Sequence, residues 1–136
     1  METNYRKLAV LALIALTSAT TPLPLKAAEL SDNDKQFLAQ YEKVRGALAA
    51  DDLEGAKKAA AALNEEGAPI ASSEKIAAAR TEFAKLSDHA IKLAAGQNGY
   101  YIVNCPMLRK DWVQTSTQIS NPYAGKEMLT CGVIKK

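Results

Sequence analysis

The chain of 136 residues has one histidine, two cysteines, one tryptophan and no apolar run longer than nine residues. Each shortage excludes something. Two isolated cysteines and a single histidine fall short of the paired CxxC spacings of structural zinc sites. Nine apolar residues are far fewer than the roughly 20 that a membrane-spanning helix needs. There is no GxSxG, no HExxH and no phosphate loop, and one histidine cannot serve a cysteine triad while also orienting a metal. The chain therefore reads as a binding protein, not an enzyme. No internal repeat is present.

The apolar run, residues 8–16, follows Arg6 and Lys7 and precedes small and turn-forming residues, the order of a secretory signal. Pro22 and Pro24 break its helix. Cleavage after Ala27 would leave Leu25 and Ala27 at the two positions a signal peptidase reads, and a cut after Ala19 is the alternative. No cysteine lies near either point, which argues against a lipid anchor. Loss of residues 1–27 removes Arg6, Lys7, Lys26 and Glu2, so 17 basic and 15 acidic residues become 14 and 14. A neutral chain lacks the basic field that nucleic acid requires and has no basic stripe for anionic lipid. The expectation is a soluble exported protein, periplasmic after signal cleavage. Residues 28–136 are long enough for a single domain with one hydrophobic core.

Ala, Leu, Lys and Glu dominate up to Ala95, and Tyr, Asn, Pro, Thr, Cys and Met appear after Gly96. Leu30, Ser31 and Asp34 mark a helix start with a capping box. Phe37, Leu38, Tyr41, Val44 and Leu48 then line one face, with Lys35, Glu42, Lys43 and Arg45 elsewhere, and the helix ends near Ala50. Asp51 with Glu54 repeats the capping pattern for a second, thinner helix through Leu53, Ala56, Ala60 and Leu63, closed by residues 64–67. After Pro69 and the cap candidates Ser72 and Ser73, a third helix carries Ile76, Ala79, Phe83, Leu86, Ala90 and Leu93 and stops at Gly96. Residues 100–103 read as a short extended stretch, and Asn121–Tyr123 as the start of a short last helix ended by Gly132. The predicted fold class is all-α: an antiparallel bundle of three main helices, with an irregular C-terminal segment and short last helix packing across it.

The chemistry is concentrated in the last third. Met128 and Cys131 are three apart, which on a helical turn places their Cβ atoms about 5–6 Å from each other. Cys105 and Met107 are two apart, which in an extended segment points both side chains the same way. Thiolate and thioether ligands are soft and select Cu(I) over the hard cations, and methionine separates copper from zinc. His89, at the flank of the third helix's apolar seam, could complete the shell. Other readings stand beside this one. Cys105 and Cys131 could close a disulfide, contributing about 3 kcal/mol for a loop of that size. Met107 and Met128 could simply fill gaps in the core. His89 could be a structural residue bordering the core. Trp112, Tyr100, Tyr101 and Tyr123 read as packing residues, with Trp112 placed to shield the site. A thiol redox role calls for a low-pKa cysteine beside a partner, typically CxxC, and that spacing is absent.

Cys105, Pro106 and Met107, then Trp112, then Asn121, Pro122, Tyr123, Gly125, Met128, Leu129, Cys131 and Gly132 resemble, in order, a periplasmic bacterial domain family of unknown function. That family is found alone and fused to copper/silver efflux adaptor subunits of the CusB type. The helical part is similar only in character, including a histidine near the end of the long helix, here His89. The resemblance implies a helical envelope domain that handles Cu(I), silver or another soft metal. Its metal ligands would be Cys105, Cys131, Met128, His89 and Met107, and its partner a copper-efflux adaptor or another envelope copper protein. With a signal of its own, this chain is expected to be free-standing and without the adaptor's membrane-fusion parts.

Overall fold

The first helix begins where the capping box places it. In a computed structural model that describes residues 26–135, α1 spans Asp32–Ala49. The Ser31 hydroxyl accepts the Asp34 N–H at 3.2 Å, and the Asp34 carboxylate accepts the Ser31 N–H at 3.1 Å. Both satisfy amides that the first helical turn leaves without partners. The predicted signal segment lies, apart from Lys26 and Ala27, outside the described residues.

α2, Leu53–Ala61, starts one residue later than expected: Asp52, not Asp51, caps it by accepting the Gly55 N–H at 2.9 Å. Asp51 is occupied elsewhere, as described below. Ala56 and Ala60 are fully buried, and Gly67 lies so close to the Ala60 carbonyl that a Cβ there could not be accommodated. A short α3, Ala68–Ala71, was not anticipated, because Pro69 reads as a breaker although proline is tolerated in a first helical turn. Ser72 and Ser73 then donate back to the Ala68 and Pro69 carbonyls, closing α3 instead of capping α4, which spans Ile76–Ala94 with no side-chain cap. Gly96, at φ +74, ends it.

The all-α expectation is overturned. After α4 the described chain forms an antiparallel sheet of β1 (Tyr101–Cys105), β2 (Lys110–Gln114) and β3 (Val133–Ile134), ordered β2-β1-β3, so the fold is mixed α/β. The predicted last helix is a single 3-10 turn, Gly125–Met128. β2 is covered on both faces, Val113 on one and Trp112 and Gln114 on the other, and the Val113 N–H donates to the Tyr41 hydroxyl of α1 at 3.2 Å. Trp112, Val103 and Cys105 lie on the other side, under the C-terminal segment, where Gly132 runs against Trp112, Val103 and Ile119 too closely for a Cβ. All of these residues belong to one core cluster with Leu38, Phe83, Leu86 and Ile70.

Two arginines fasten the C-terminal segment to the helices. Arg45, placed on the polar face by its spacing, is instead buried: it pairs with Glu42 and donates to the Ser120 carbonyl at 2.8 Å. Arg80 donates to the Pro122 and Leu48 carbonyls, both at 2.8 Å, and to Asp51 at 2.7 Å. Asp51 also accepts the Lys126 N–H at 3.0 Å, which is why its carboxylate is not free to cap α2. Between these clamps the hydroxyls of Tyr41, Ser87 and Tyr123 form a chain that ends on the Asp111 carbonyl. With one proton per hydroxyl, the order Val113 N–H, Tyr41, Ser87, Tyr123, Asp111 carbonyl satisfies every group. Burial pushes the Tyr123 hydroxyl up to about 12, so the chain stays protonated at any ordinary pH.

The Arg80 hydrogen bond, followed by the Lys126 N–H, holds Asp51 below the ordinary aspartate value of 3.8. A carboxyl whose pKa is lower folded than unfolded adds stability above the unfolded value, and that contribution is lost as pH falls through the folded value. Acidification below 3.8 should therefore loosen the C-terminal segment, read as a change in the fluorescence of Trp112, the single tryptophan. Asp51→Asn should flatten that acid limb. An unchanged pH profile in the variant would rule out the Asp51 clamp as its cause.

Candidate metal centre

Cys105 is the last residue of β1, and the chain turns sharply after it through Pro106–Arg109, with Arg109 at φ +51. The turn folds two backbone amides back over the cysteine. The Cys131 thiol, the Leu108 and Met107 N–H groups and the Asn121 side chain lie around the Cys105 sulfur. Both thiols are free, and Cys131 is half-buried while Cys105 has no exposed surface. The structure thus brings together the two cysteines that the sequence separates by 26 positions.

Asn121, itself completely buried, joins the two segments. Its Nδ2 donates to the Cys131 carbonyl at 3.0 Å, and its Oδ1 accepts the Tyr123 N–H at 2.8 Å. Its backbone N–H donates to the Leu129 carbonyl at 2.8 Å. Arg45 and Arg80 hold the carbonyls of the residues on either side, Ser120 and Pro122. Asn121 appeared in the sequence only as a helix start and as part of a pattern, Arg45 only as a charge off the apolar face of α1, and Arg80 not at all. The one available signal was an Asn-Pro pair in a segment otherwise poor in helix formers.

The electrostatics follow from these contacts. Burial is the largest influence on Cys105 and raises its pKa. The hydrogen bonds from Cys131, the Leu108 and Met107 amides and Asn121 together outweigh it, holding the thiol below its ordinary value. Cys131 moves up, first because its proton is held by Cys105, then through burial. Of the two thiols, Cys105 gives up its proton the more readily.

The thioethers are placed differently from expectation. Met107 does not point with Cys105: the strand ends at Cys105, the alternation rule fails in the turn, and Met107 is 77% exposed against 0% for Cys105. Met128 is partly buried against the core, and the Cys131 N–H donates to its carbonyl at 3.0 Å, so these two sulfur residues share one turn although no helix continues through them. His89 faces another neighbourhood. Its Nδ1 lies 2.7 Å from Glu66 Oε2, and its ring lies 4.4 Å from that of Phe37. Among the described residues no three His, Cys, Asp or Glu side chains converge, so His89 does not join the cysteines. Trp112 packs against Gly132, the residue after Cys131.

The five exposed large apolar side chains among the described residues, Met107, Leu108, Leu129, Val133 and Ile134, all lie within three positions of one cysteine or the other. No family model, curated protein or solved structure matches the chain. No helix among the described residues is long and apolar enough to cross a membrane.

Proposed function

We propose that the protein is an exported soft-metal carrier that binds Cu(I) through the thiolates of Cys105 and Cys131. Met128 adds a thioether from the same turn as Cys131, and Met107 offers a second from the surface. The observation that carries this reading is that the fold sets Cys131 beside the buried Cys105, with Met128 on the same turn as Cys131. The donor chemistry fits the ion: two thiols and two thioethers are soft, and among the described residues no three carboxylate, histidine or cysteine groups gather as a harder ion would require. The metal is cargo. The resemblance to the copper/silver efflux-associated family favours copper or silver handling in the periplasm, with an efflux adaptor or another envelope copper protein as the recipient.

Anaerobic titration of the reduced chain with Cu(I), against a competing chromophoric chelator, should show one equivalent bound. No competition for Cu(I) sinks the reading. In the same assay His89→Ala should bind as wild type does, whereas Met128→Leu should weaken binding. A tenfold loss corresponds to about 1.4 kcal/mol.

A second reading is favoured by one observation, the direct contact of the two thiols. In it the cysteines form a permanent disulfide that pins the C-terminal segment, and the exposed apolar side chains meet a protein partner. Intact mass with and without thiol alkylation, on protein taken from the envelope, separates the two. A disulfide that resists mild reductant supports the second.

A further inference from the structure

We propose that the groove between α1 and α2 is a docking site for an extended, acidic peptide segment of a protein partner. The groove consists of two adjoining cavities of about 210 and 380 Å³, and Gln40 lines both. None of its lining residues is a cysteine or a methionine, so it stands apart from the candidate metal centre.

The groove exists because α2 has little to fill it with. Ala56 and Ala60 are buried in the core, and the residues that α2 and its C-cap leave beside α1, Gly55, Ala59 and Ala62, offer at most a methyl group. The α1 wall is the opposite. Asn33, Gln36, Gln40 and Lys43 recur at three- and four-residue spacings, which set them in one row along the helix. Asn64, at φ +52 beyond the end of α2, adds a fourth carboxamide, and Lys58 lines the same cavity as Lys43. Phe37 and Leu63, both half-buried, supply apolar contact at the amide end.

Spacing and charge select the ligand. A carboxamide offers an acceptor and a donor, the same pair of functions as a peptide group, so the row can bond a backbone without reading its sequence. Gln36 and Gln40 stand about 6 Å apart along the helix axis, close to the roughly 6.7 Å between like-facing groups of an extended chain. From Asn33 to Ala47 the groove runs about 21 Å, the length of about six extended residues. These four carboxamides make no hydrogen bond among the described residues, whereas those of Asn104, Gln114 and Asn121 are used within the fold. No aspartate or glutamate lines either cavity, and Lys43 and Lys58 make no ion pair among the described residues, so a carboxylate on the bound segment meets two cations there. A glycan fits less well. Phe37, the single aromatic of the lining, is packed against His89 and Tyr41, with ring centroids 4.4 and 6.4 Å away, and is not held out as a platform for a sugar ring.

The probe is a library of random heptapeptides displayed on phage and selected on the immobilised purified chain. Enriched sequences should carry Asp or Glu. One of them, synthesised with a fluorescent label, should bind in solution and move the backbone resonances of α1 and α2 in two-dimensional NMR spectra. Lys43→Glu combined with Lys58→Gln should weaken that binding about tenfold or more, and Gln40→Ala about threefold. Lys75→Glu, at an exposed lysine outside the groove, should leave it unchanged. Lys43 and Lys58 are exposed and Gln40 is half-buried on a helix surface, so circular dichroism should report wild-type folding. If the double variant does not fold, Gln40→Ala and the resonance map decide the matter. The proposal is overturned by a selection without acidic enrichment, by a peptide that binds the folded variants as tightly as wild type, or by resonance changes centred on the exposed Met107–Leu108 turn. An oligouronate that binds in the groove where no peptide does would assign it to a glycan and overturn the proposal as well.

Discussion

Cys105→Ser should abolish Cu(I) binding, while Cys131→Ser should retain a weak residue of it. The two sulfurs are unequal. Cys105 lies beside two backbone amides and the Asn121 side chain, groups that favour a negative charge on that sulfur and stay in place when the thiol is removed. A serine hydroxyl there keeps the donors but is a hard, neutral ligand that Cu(I) does not favour. Cys131 is nearer the surface and contributes its ligand with less support, so its loss leaves Cys105 and Met128 in place. Competition with a chromophoric Cu(I) chelator reads both variants in one experiment. Equal retention in the two would mean that the hydrogen-bonded thiolate is not the anchor of the site. Because serine is close to cysteine in size, thermal unfolding of the metal-free variants should stay near wild type, which separates lost ligation from lost folding.

How much of this was legible beforehand depends on whether the deciding contact is local. The Ser31–Asp34 box and the apolar spacing of α1 and α4 are settled within one or two helical turns, and both were readable. β2 was not. It opens with Lys110 and Asp111, and because both faces of β2 are covered, Trp112, Val113 and Gln114 are buried in succession with no alternation to betray a strand. β3 is two residues long, held by pairing with Val103 and Asn104 some 30 positions away, a distance over which no local pattern reports. At the site, residue type identified the sulfurs, but direction failed for Met107 because Pro106 ends the strand beforehand. Position on the helix placed His89 correctly at the flank of the seam. It could not say that the flank is occupied by Glu66 and Phe37 and not by the C-terminal segment. Arg45 shows the same limit. Helical phase puts it on the outer face, yet a guanidinium is long enough to lie under a segment that returns to cover it, its charge met by Glu42 and a backbone carbonyl.

The second large effect is expected at Asn121. Its amide donates to the Cys131 carbonyl, beside the Cys105 sulfur, and accepts from the Tyr123 N–H, so one fully buried side chain joins both cysteine segments to the tail. Asn121→Asp preserves the shape and the bond from Tyr123 but replaces both donors by a carboxylate oxygen, which then faces a carbonyl and a sulfur that itself favours negative charge. Leaving buried polar groups without partners costs about 1–3 kcal/mol each, and more where charge is involved, so a loss of roughly 3 kcal/mol or more is expected. In a domain of about this size that lowers Tm by on the order of 10 °C. Protonation of the new carboxyl would relieve the repulsion, so the deficit should shrink as pH falls toward the carboxyl's own pKa, which the buried, anionic surroundings place above the ordinary aspartate range. Copper should show the same sign: with the Asn121 donor gone, the Cys105 thiolate is less favoured and Cu(I) affinity falls. A variant with wild-type Tm and wild-type Cu(I) affinity would mean that Asn121 neither holds the tail nor supports the thiolate. A loss of stability without a loss of affinity would confine Asn121 to the first role and leave the Leu108 and Met107 amides as sufficient support for the sulfur.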